Sequence, residues 1–443
     1  MMKFIRLPKH IIVAASSWGA RFITACVQIV SIGIFIESIG NEGYAAFALL
    51  SGLAAWAVLF DFGVGSSLQN YISELKAEGK EYDVYIFVAF SISLILLLIV
   101  MALLYPISYG LSNIYLKNIS ASSITDKNIS FYLSASIFVL MSMGSLLFKV
   151  WFAEQRGWLA NILLALSSVL GLLLVYFAWS EYKTSSLNFI FLLFYGPAAL
   201  ISFVFLCVRV LRYIYLCSAP SLKEIVTVAS SLIKRGRAFW FFTLIATIVL
   251  QADYIVMSQK LNSSEIVTYV LLMKIFTFIS FFYSALLQAL WPECVELRVK
   301  RQWGKLNSLV YRYIAAGCVL VITFTLLLFV FKSEIMSFVS KGSLSHVENG
   351  IIALIGLYFI LRVWSDTYAM LHQSMNYLSP LWKLVPIQAV ISLGLQWFLC
   401  DLIGLYGIVL GLILSFILTV VVFLPLSYNR KVKEYMRESI TAS

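Results

Sequence analysis

Apolar runs of roughly 18 or more residues recur along this chain from one end to the other, and that repetition decides most of what it can become. A helix of about 20 apolar residues crosses the hydrocarbon core of a bilayer. Lipid offers no partner to a backbone N–H or C=O, so each run must satisfy its own hydrogen bonds, which a helix does and an open sheet does not. The runs fall at roughly 11–36, 43–66, 84–108, 129–152, 158–179, 188–208, 238–258, 266–290, 308–331, 350–372, 381–400 and 402–426. They predict an all-α polytopic membrane protein with about twelve transmembrane helices. Charged residues make up only 12% of the chain, about half the share of a soluble domain, too few for a water-facing exterior.

The first run is too long for a cleavable leader, and it holds Arg21 and Gln28 where a leader would be plainly apolar. The cysteines (Cys26, Cys207, Cys217, Cys294, Cys318 and Cys400) are scattered without a CxxC pair and suggest neither a metal nor a disulfide framework.

Lys and Arg alternate in density between successive loops. One side takes Lys3, Arg6 and Lys9, then Lys76 and Lys80, Lys149 and Arg156, the central group from Arg209 to Arg237, the group from Arg298 to Arg312, and finally Arg430, Lys431, Lys433 and Arg437. The other side takes only Lys117, Lys127, Lys183, Lys260, Lys332 and Lys341. The positive-inside rule then puts both termini in the cytoplasm. The net charge of +11 is accounted for by the membrane, so no nucleic-acid partner is implied.

The basic stretch 209–237 divides the runs six and six. The expected organisation is a six-helix lobe over 1–208, a cytoplasmic basic linker over 209–237, a second lobe over 238–426 and a cytoplasmic tail over 427–443. Within the linker, Ile225, Val228 and Leu232 have helical spacing among charges, as in an interfacial helix. A shift of 222 residues lays Leu49 and Leu50 on Leu271 and Leu272, Phe60 on Phe282, Leu68 on Leu290, and Glu74-Leu75-Lys76 on Glu296-Leu297-Arg298. Six spans return the chain to the same side, so the repeat is parallel, and two parallel lobes leave a central cavity suited to alternating access.

Several spans carry polar residues three or four apart, hence on one face. The first has Ser17, Arg21, Thr24, Gln28 and Ser31; the seventh has Thr243, Thr247, Gln251, Tyr254 and Ser258, with Asp253 beside them. The eighth has Lys274, Thr277, Ser284 and Gln288, and the eleventh has Gln388, Ser392 and Gln396. Such residues either join helices through hydrogen bonds or line a wet cavity, and a stripe containing a charge favours the cavity. Arg21, Lys274 and Arg362 lie near mid-span, where a cation costs ~2.5–3.5 kcal/mol on insertion scales. Arg362 has Asp366 one turn on, as a structural ion pair would. Arg21 and Lys274 have no acid at three or four residues, which suits an anionic substrate group such as a phosphate. Asp61, in Phe60-Asp61-Phe62-Gly63-Val64-Gly65, and Asp253 are candidates for binding a coupling ion or for pairing with those cations; the glycines serve either a hinge or close packing. There is no ATP-binding signature and no metal-ligand cluster, so no cofactor is expected.

Five stretches resemble the O-antigen flippases of enteric bacteria (Wzx type), in the polysaccharide-transporter branch of the multidrug/oligosaccharidyl-lipid/polysaccharide exporters. They are IRLPKHIIVAASSW (5–18), DFGVGSSLQNYISE (61–74), LQADYIVMSQKL (250–261), QALWPECVELRVKRQWGKLN (288–307) and RVWSDTYAMLHQSMNYLSPLW (362–382). The resemblance implies a MATE-like V of two lobes in the bacterial inner membrane. It also implies transfer of an undecaprenyl-pyrophosphate-linked O-unit from the cytoplasmic to the periplasmic leaflet, driven by a proton or sodium gradient or by removal of product. Implied partners are the lipid-linked oligosaccharide, membrane lipids, an O-antigen polymerase and a chain-length regulator. In that setting Arg21, Lys274 and Arg362 suit the pyrophosphate. Ser17, Thr24, Gln28, Thr247, Gln251, Gln288, Gln388 and Gln396 suit sugar hydroxyls. A multidrug exporter of the same superfamily is the alternative, although its site should be acidic rather than cationic. A membrane enzyme of polysaccharide assembly is the other, although no long outer loop is present.

Overall fold

A computed structural model describes residues 9–119, 126–182, 186–216, 220–340, 347–375 and 377–441. Among them every regular element is helical. Ten segments among the described residues are long and apolar enough to cross a membrane. Their outward faces are apolar, with Leu98, Leu103, Val390 and Phe398 all more than half exposed. A surface of that kind requires lipid.

The chain divides into two compact units, Met1–Thr247 and Ile248–Ser443. The first begins with α1 (Lys9–Ala57), which is broken at Gly40, where φ is 73°. Phe35 and Phe47 would stand about 18 Å apart along a straight helix. Their ring centroids are 4.6 Å apart, so the chain reverses at Gly40 and α1 is a hairpin of two arms. Phe194, in the helix Leu187–Leu216, meets both rings, at 5.1 and 5.9 Å, and locks the arms against that helix.

The second predicted span was expected to run on to about residue 66. Instead it stops in a short turn, Val58–Asp61, and α2 (Val64–Ala77) begins afresh. Phe62 and Gly63 are both left-handed, with φ of 47° and 74°. The Asp61 carboxylate caps the restart, accepting from Gly63 N–H at 2.7 Å and Gly65 N–H at 3.3 Å. The repeat-related segment, α8 (Ser263–Val299), runs through without a break. Ser284 and Ala285 stand there in place of Phe62 and Gly63, and alanine does not readily take a left-handed backbone. The shared positions Leu49, Leu50, Leu68, Leu271, Leu272 and Leu290 are all buried.

The first unit continues with α3 (Asp83–Tyr115), α4 (Lys127–Ala153), α5 (Gly157–Tyr182) and α6 (Leu187–Leu216), and it takes in the start of α7 (Leu222–Lys260). The stretch expected to be a linker, 209–237, is therefore mostly helix: α6 runs through Leu216, and α7 continues from Leu222 into the seventh span. The apolar face expected on the membrane surface packs inward instead. Val228 and Leu232 are buried in one cluster with Leu68, Ile72, Leu146 and Val150, and Ile225 covers its edge. Gly236 lies backbone to backbone with Gly63, where a Cβ would stand 2.1 Å from the Gly236 carbonyl oxygen. Around that contact Trp240 stacks on Phe62 at 5.7 Å and donates its indole N–H to Leu59 O at 2.8 Å. Arg235 forms a two-bonded fork with Glu74, at 2.8 and 2.6 Å.

The second unit holds the rest of α7, then α8, α9 (Trp303–Val330), α10 (Lys332–Ser340), α11 (Asn349–Ser374), α12 (Ser379–Ile403), α13 (Leu405–Phe416) and α14 (Val422–Thr441). Hydrogen bonds and close packing join its helices, as expected where lipid leaves no hydrophobic drive between them. The Tyr283 hydroxyl meets Thr367 Oγ1 at 2.6 Å, linking α8 to α11. Pro425 has no N–H to offer Val421, and the Trp364 indole donates to that carbonyl at 3.1 Å.

Candidate functional site

The polar stripe of the first span opens on a cavity of about 550 Å³ that lies wholly within the first unit. Ser17, Arg21, Thr24 and Gln28 line it from α1, Met141 and Phe152 from α4, Asn161 and Ser168 from α5, and Tyr195 from α6. Arg21 is exposed to this space, and no ion pair joins it to an acid among the described residues. Ser31, one turn beyond, is buried and turns its hydroxyl back to Gln28 O at 3.0 Å, so the stripe leaves the cavity there. An uncommitted guanidinium among neutral donors and acceptors can bind an anionic group bidentately while amides and hydroxyls bind what is attached to it.

Asn161 is one of the lining residues, with Ser168 and Tyr195, that the sequence stripes did not indicate. It is the one amide side chain in a mostly apolar run, 7% exposed, and its Nδ2 donates to Val13 O at 3.2 Å and Ser16 Oγ at 3.0 Å. Periodicity gives no signal for a single buried amide.

The remaining candidates are distributed otherwise. Thr247 is buried at the end of the first unit. Gln251, Asp253, Lys274, Arg362 and Asp366 belong to the second. Asp253 accepts from the Tyr269 hydroxyl at 2.7 Å and from Tyr254 N–H at 3.0 Å. Arg362 Nη2 lies 3.4 Å from Asp366 Oδ2, and its guanidinium sits 5.8 Å from the Phe359 ring centroid. Lys274 is half-buried on α8, and Gln251 is half-buried with its Oε1 unsatisfied. The side chain of Gln288 lies outside the described residues.

The stripe of the eleventh span differs from the expectation. Gln388, Ser392 and Gln396 are buried, at 6%, 5% and 0% exposure, and Gln396 Nε2 donates to Ser392 Oγ at 2.7 Å. The cause is α13: Gly411 brings it so close that a Cβ there would stand 2.7 Å from Gln396 N. Gln388 and Gln396 are thus buried in the second unit, Gln396 directly against α13. Asp61 is likewise occupied as the cap of α2.

No protein-family profile matches the chain. It is 42% identical over 432 residues to a Salmonella typhi protein named "Putative O-antigen transporter", covering 98% of this chain and 99% of that one. The chain belongs to the O-antigen transporter family. A Yersinia pseudotuberculosis protein named "Putative O-antigen export protein" is 36% identical over 436 residues, covering 98% and 99%. Among solved structures, the lipid II flippase MurJ in its inward closed conformation superposes with a TM-score of 0.69 at 14% identity, over 95% of this chain and 87% of that one. A point mutant of the Vibrio cholerae MATE transporter VcmN gives 0.61 at 12% identity over 96% and 97%. At such identities the likeness is one of fold. This O-antigen transporter family member is therefore a multi-pass, all-α membrane transporter of the MATE-like fold, and the reading as a membrane enzyme is set aside.

Proposed function

We propose that this transporter moves undecaprenyl-pyrophosphate-linked O-units from the cytoplasmic to the periplasmic leaflet of the inner membrane by alternating access, with Arg21 as the seat of the pyrophosphate. The observation that carries this reading is the cavity of the first unit, where a mid-span guanidinium without an acidic partner among the described residues stands among hydroxyls and amides. A positive charge at mid-span is costly in a membrane and is kept where function needs it. A fork-shaped cation without an acid suits a dianionic diphosphate and disfavours the cationic drugs of a multidrug exporter. The polyprenyl chain stays in lipid while Ser17, Thr24 and Gln28 offer partners to the sugars. Lys274 and Arg362 carry further positive charge in the second unit, and Asp253 is the candidate coupling group there for a proton or sodium gradient.

The proposed topology has twelve spans: the ten candidate segments with the α1 hairpin counted as two, together with α7. Both termini then lie in the cytoplasm. An O-antigen polymerase and a chain-length regulator are the expected partners after transfer.

The test is surface O-antigen in a deletion strain complemented with variants of matched abundance. Arg21→Gln and Arg21→Ala abolish it, and Arg21→Lys retains part, because the charge survives while the fork is lost. Lys274→Gln is measured beside them. Wild-type O-antigen in Arg21→Gln removes Arg21 as the seat. Raised drug sensitivity in the deletion strain points to the multidrug alternative.

A further inference from the structure

We infer that Asn161 is a positioning residue that sets the rotation of the first arm of α1 and so keeps Arg21 facing the cavity, an inference that rests on Arg21 being the substrate-facing group. A helix turns its side chains by about 100° per residue, so small rotations of α1 decide which residues meet the cavity. Within the first unit, Asn161 supplies a polar fixing point for that rotation. Its amide reaches across from α5 and donates to both Val13 O and Ser16 Oγ, while Ser16 Oγ donates to the same Val13 carbonyl at 2.9 Å. The three groups close a triangle one turn before Ser17 and Arg21.

The amide orientation follows from chemistry. A carbonyl only accepts, so the group facing Val13 O must be the NH₂, and a flipped amide would set two oxygens against each other. Gly157 brings the start of α5 close enough for the reach, since a Cβ there would stand 3.2 Å from Val13 Cγ1. The amide uses both its donors on α1, is 7% exposed and lines the cavity itself, so it fixes α1 at the point where the cavity begins. In the low-polarity surroundings of a span, losing such a bond leaves polar groups without partners, which favours a turned helix that exposes them to water.

The experiment reads rotation directly and needs no substrate. In a protein whose native cysteines are replaced by serine, single cysteines at Thr24 and Ile23 are labelled in membrane vesicles with a charged methanethiosulfonate reagent. Thr24 lines the cavity and Ile23, although 41% exposed, does not, so a charged reagent that enters through the cavity labels 24 faster than 23. Asn161→Asp keeps the shape but turns both donors into acceptors, and it lowers the 24-to-23 rate ratio by about five- to tenfold, the population change expected for one lost net hydrogen bond. Ser16→Ala removes two sides of the triangle but keeps the bond from Asn161 across to Val13 O, so it gives a smaller fall, and it carries the test if Asn161→Asp does not accumulate. The exchange of Ser16→Asn with Asn161→Ser restores the ratio, which a general loosening of the fold would not allow. An unchanged ratio in both Asn161→Asp and Ser16→Ala overturns the inference, whatever happens to O-antigen. A changed ratio with normal surface O-antigen leaves Asn161 as the positioning residue and counts against Arg21 as the pyrophosphate seat.

Discussion

Substituting Gly63 by alanine tests the contact between α2 and α7 and separates two costs. The first is conformational: φ is 74° at Gly63, and an L-residue in the left-handed region costs ~1–2 kcal/mol. The second is steric: the new methyl would stand 2.1 Å from Gly236 O and 3.0 Å from Trp240 N, so the two backbones must part by more than an ångström. Overpacking of that kind costs ~1–3 kcal/mol, and the total for Gly63→Ala is about 2–5 kcal/mol. Two controls divide the sum. Gly79 has φ of 68° with open space around it, so Gly79→Ala carries the conformational cost alone. Gly236 is helical, and a Cβ there would stand 3.0 Å from Phe62 O, so Gly236→Ala sets a lesser steric cost against a helix-propensity gain of about 1 kcal/mol and carries no left-handed cost. Thermal unfolding of the purified proteins in detergent, followed by tryptophan fluorescence, should rank Gly63→Ala well below both controls. A Gly63→Ala protein as stable as Gly79→Ala would refute the backbone contact.

Further outcomes follow from the same geometry. Asp61→Ala loses the cap on α2 and about 0.5–2 kcal/mol of stability, whereas Asp61→Asn keeps an acceptor and transports normally in an O-antigen assay; loss of transport in a stable Asp61→Asn protein would restore Asp61 as an ion carrier. Exchanging Arg362→Asp with Asp366→Arg should recover the O-antigen that each single change removes, since the two groups stand 3.4 Å apart. Arg235 holds the Glu74 carboxyl below its ordinary value, so their pairing contributes above about pH 4.5 and is lost as pH falls through the lower folded value. Unfolding of Glu74→Gln, measured against pH, should lack that acid-side dependence.

Much of the fold was legible because a span announces itself locally. The hairpin at Gly40 falls in the gap between the first two apolar runs, and the cavity side of α1 could be read from residues 17, 21, 24 and 28. The break at Phe62-Gly63 left a weaker signal, an Asp followed by two glycines, which allowed a hinge or close packing; the structure shows a helix restart that is also a close approach. The charges at Lys234, Arg235 and Arg237 hid the continuity of α7, although Ile225, Val228 and Leu232 already marked its buried face. The stripes of the first and eleventh spans have the same pattern in sequence. What separates them is tertiary: α13 presses on Gln396 through Gly411, while the cavity stays open beside Arg21.

The course of α7 bears on how this chain can be cut. α6 ends at Leu216 and α7 begins at Leu222, and a gene divided between them would yield two fragments of six predicted spans each. The amino-terminal fragment would nevertheless lose Val228 and Leu232 from its core, the Trp240 stack on Phe62 and the Arg235 fork on Glu74. Its partner fragment would begin with a helical arm whose apolar face belongs to the other piece. Co-expressed halves should therefore find one another through that arm, and a free amino-terminal fragment ending at Thr247 should accumulate better than one ending at Leu216.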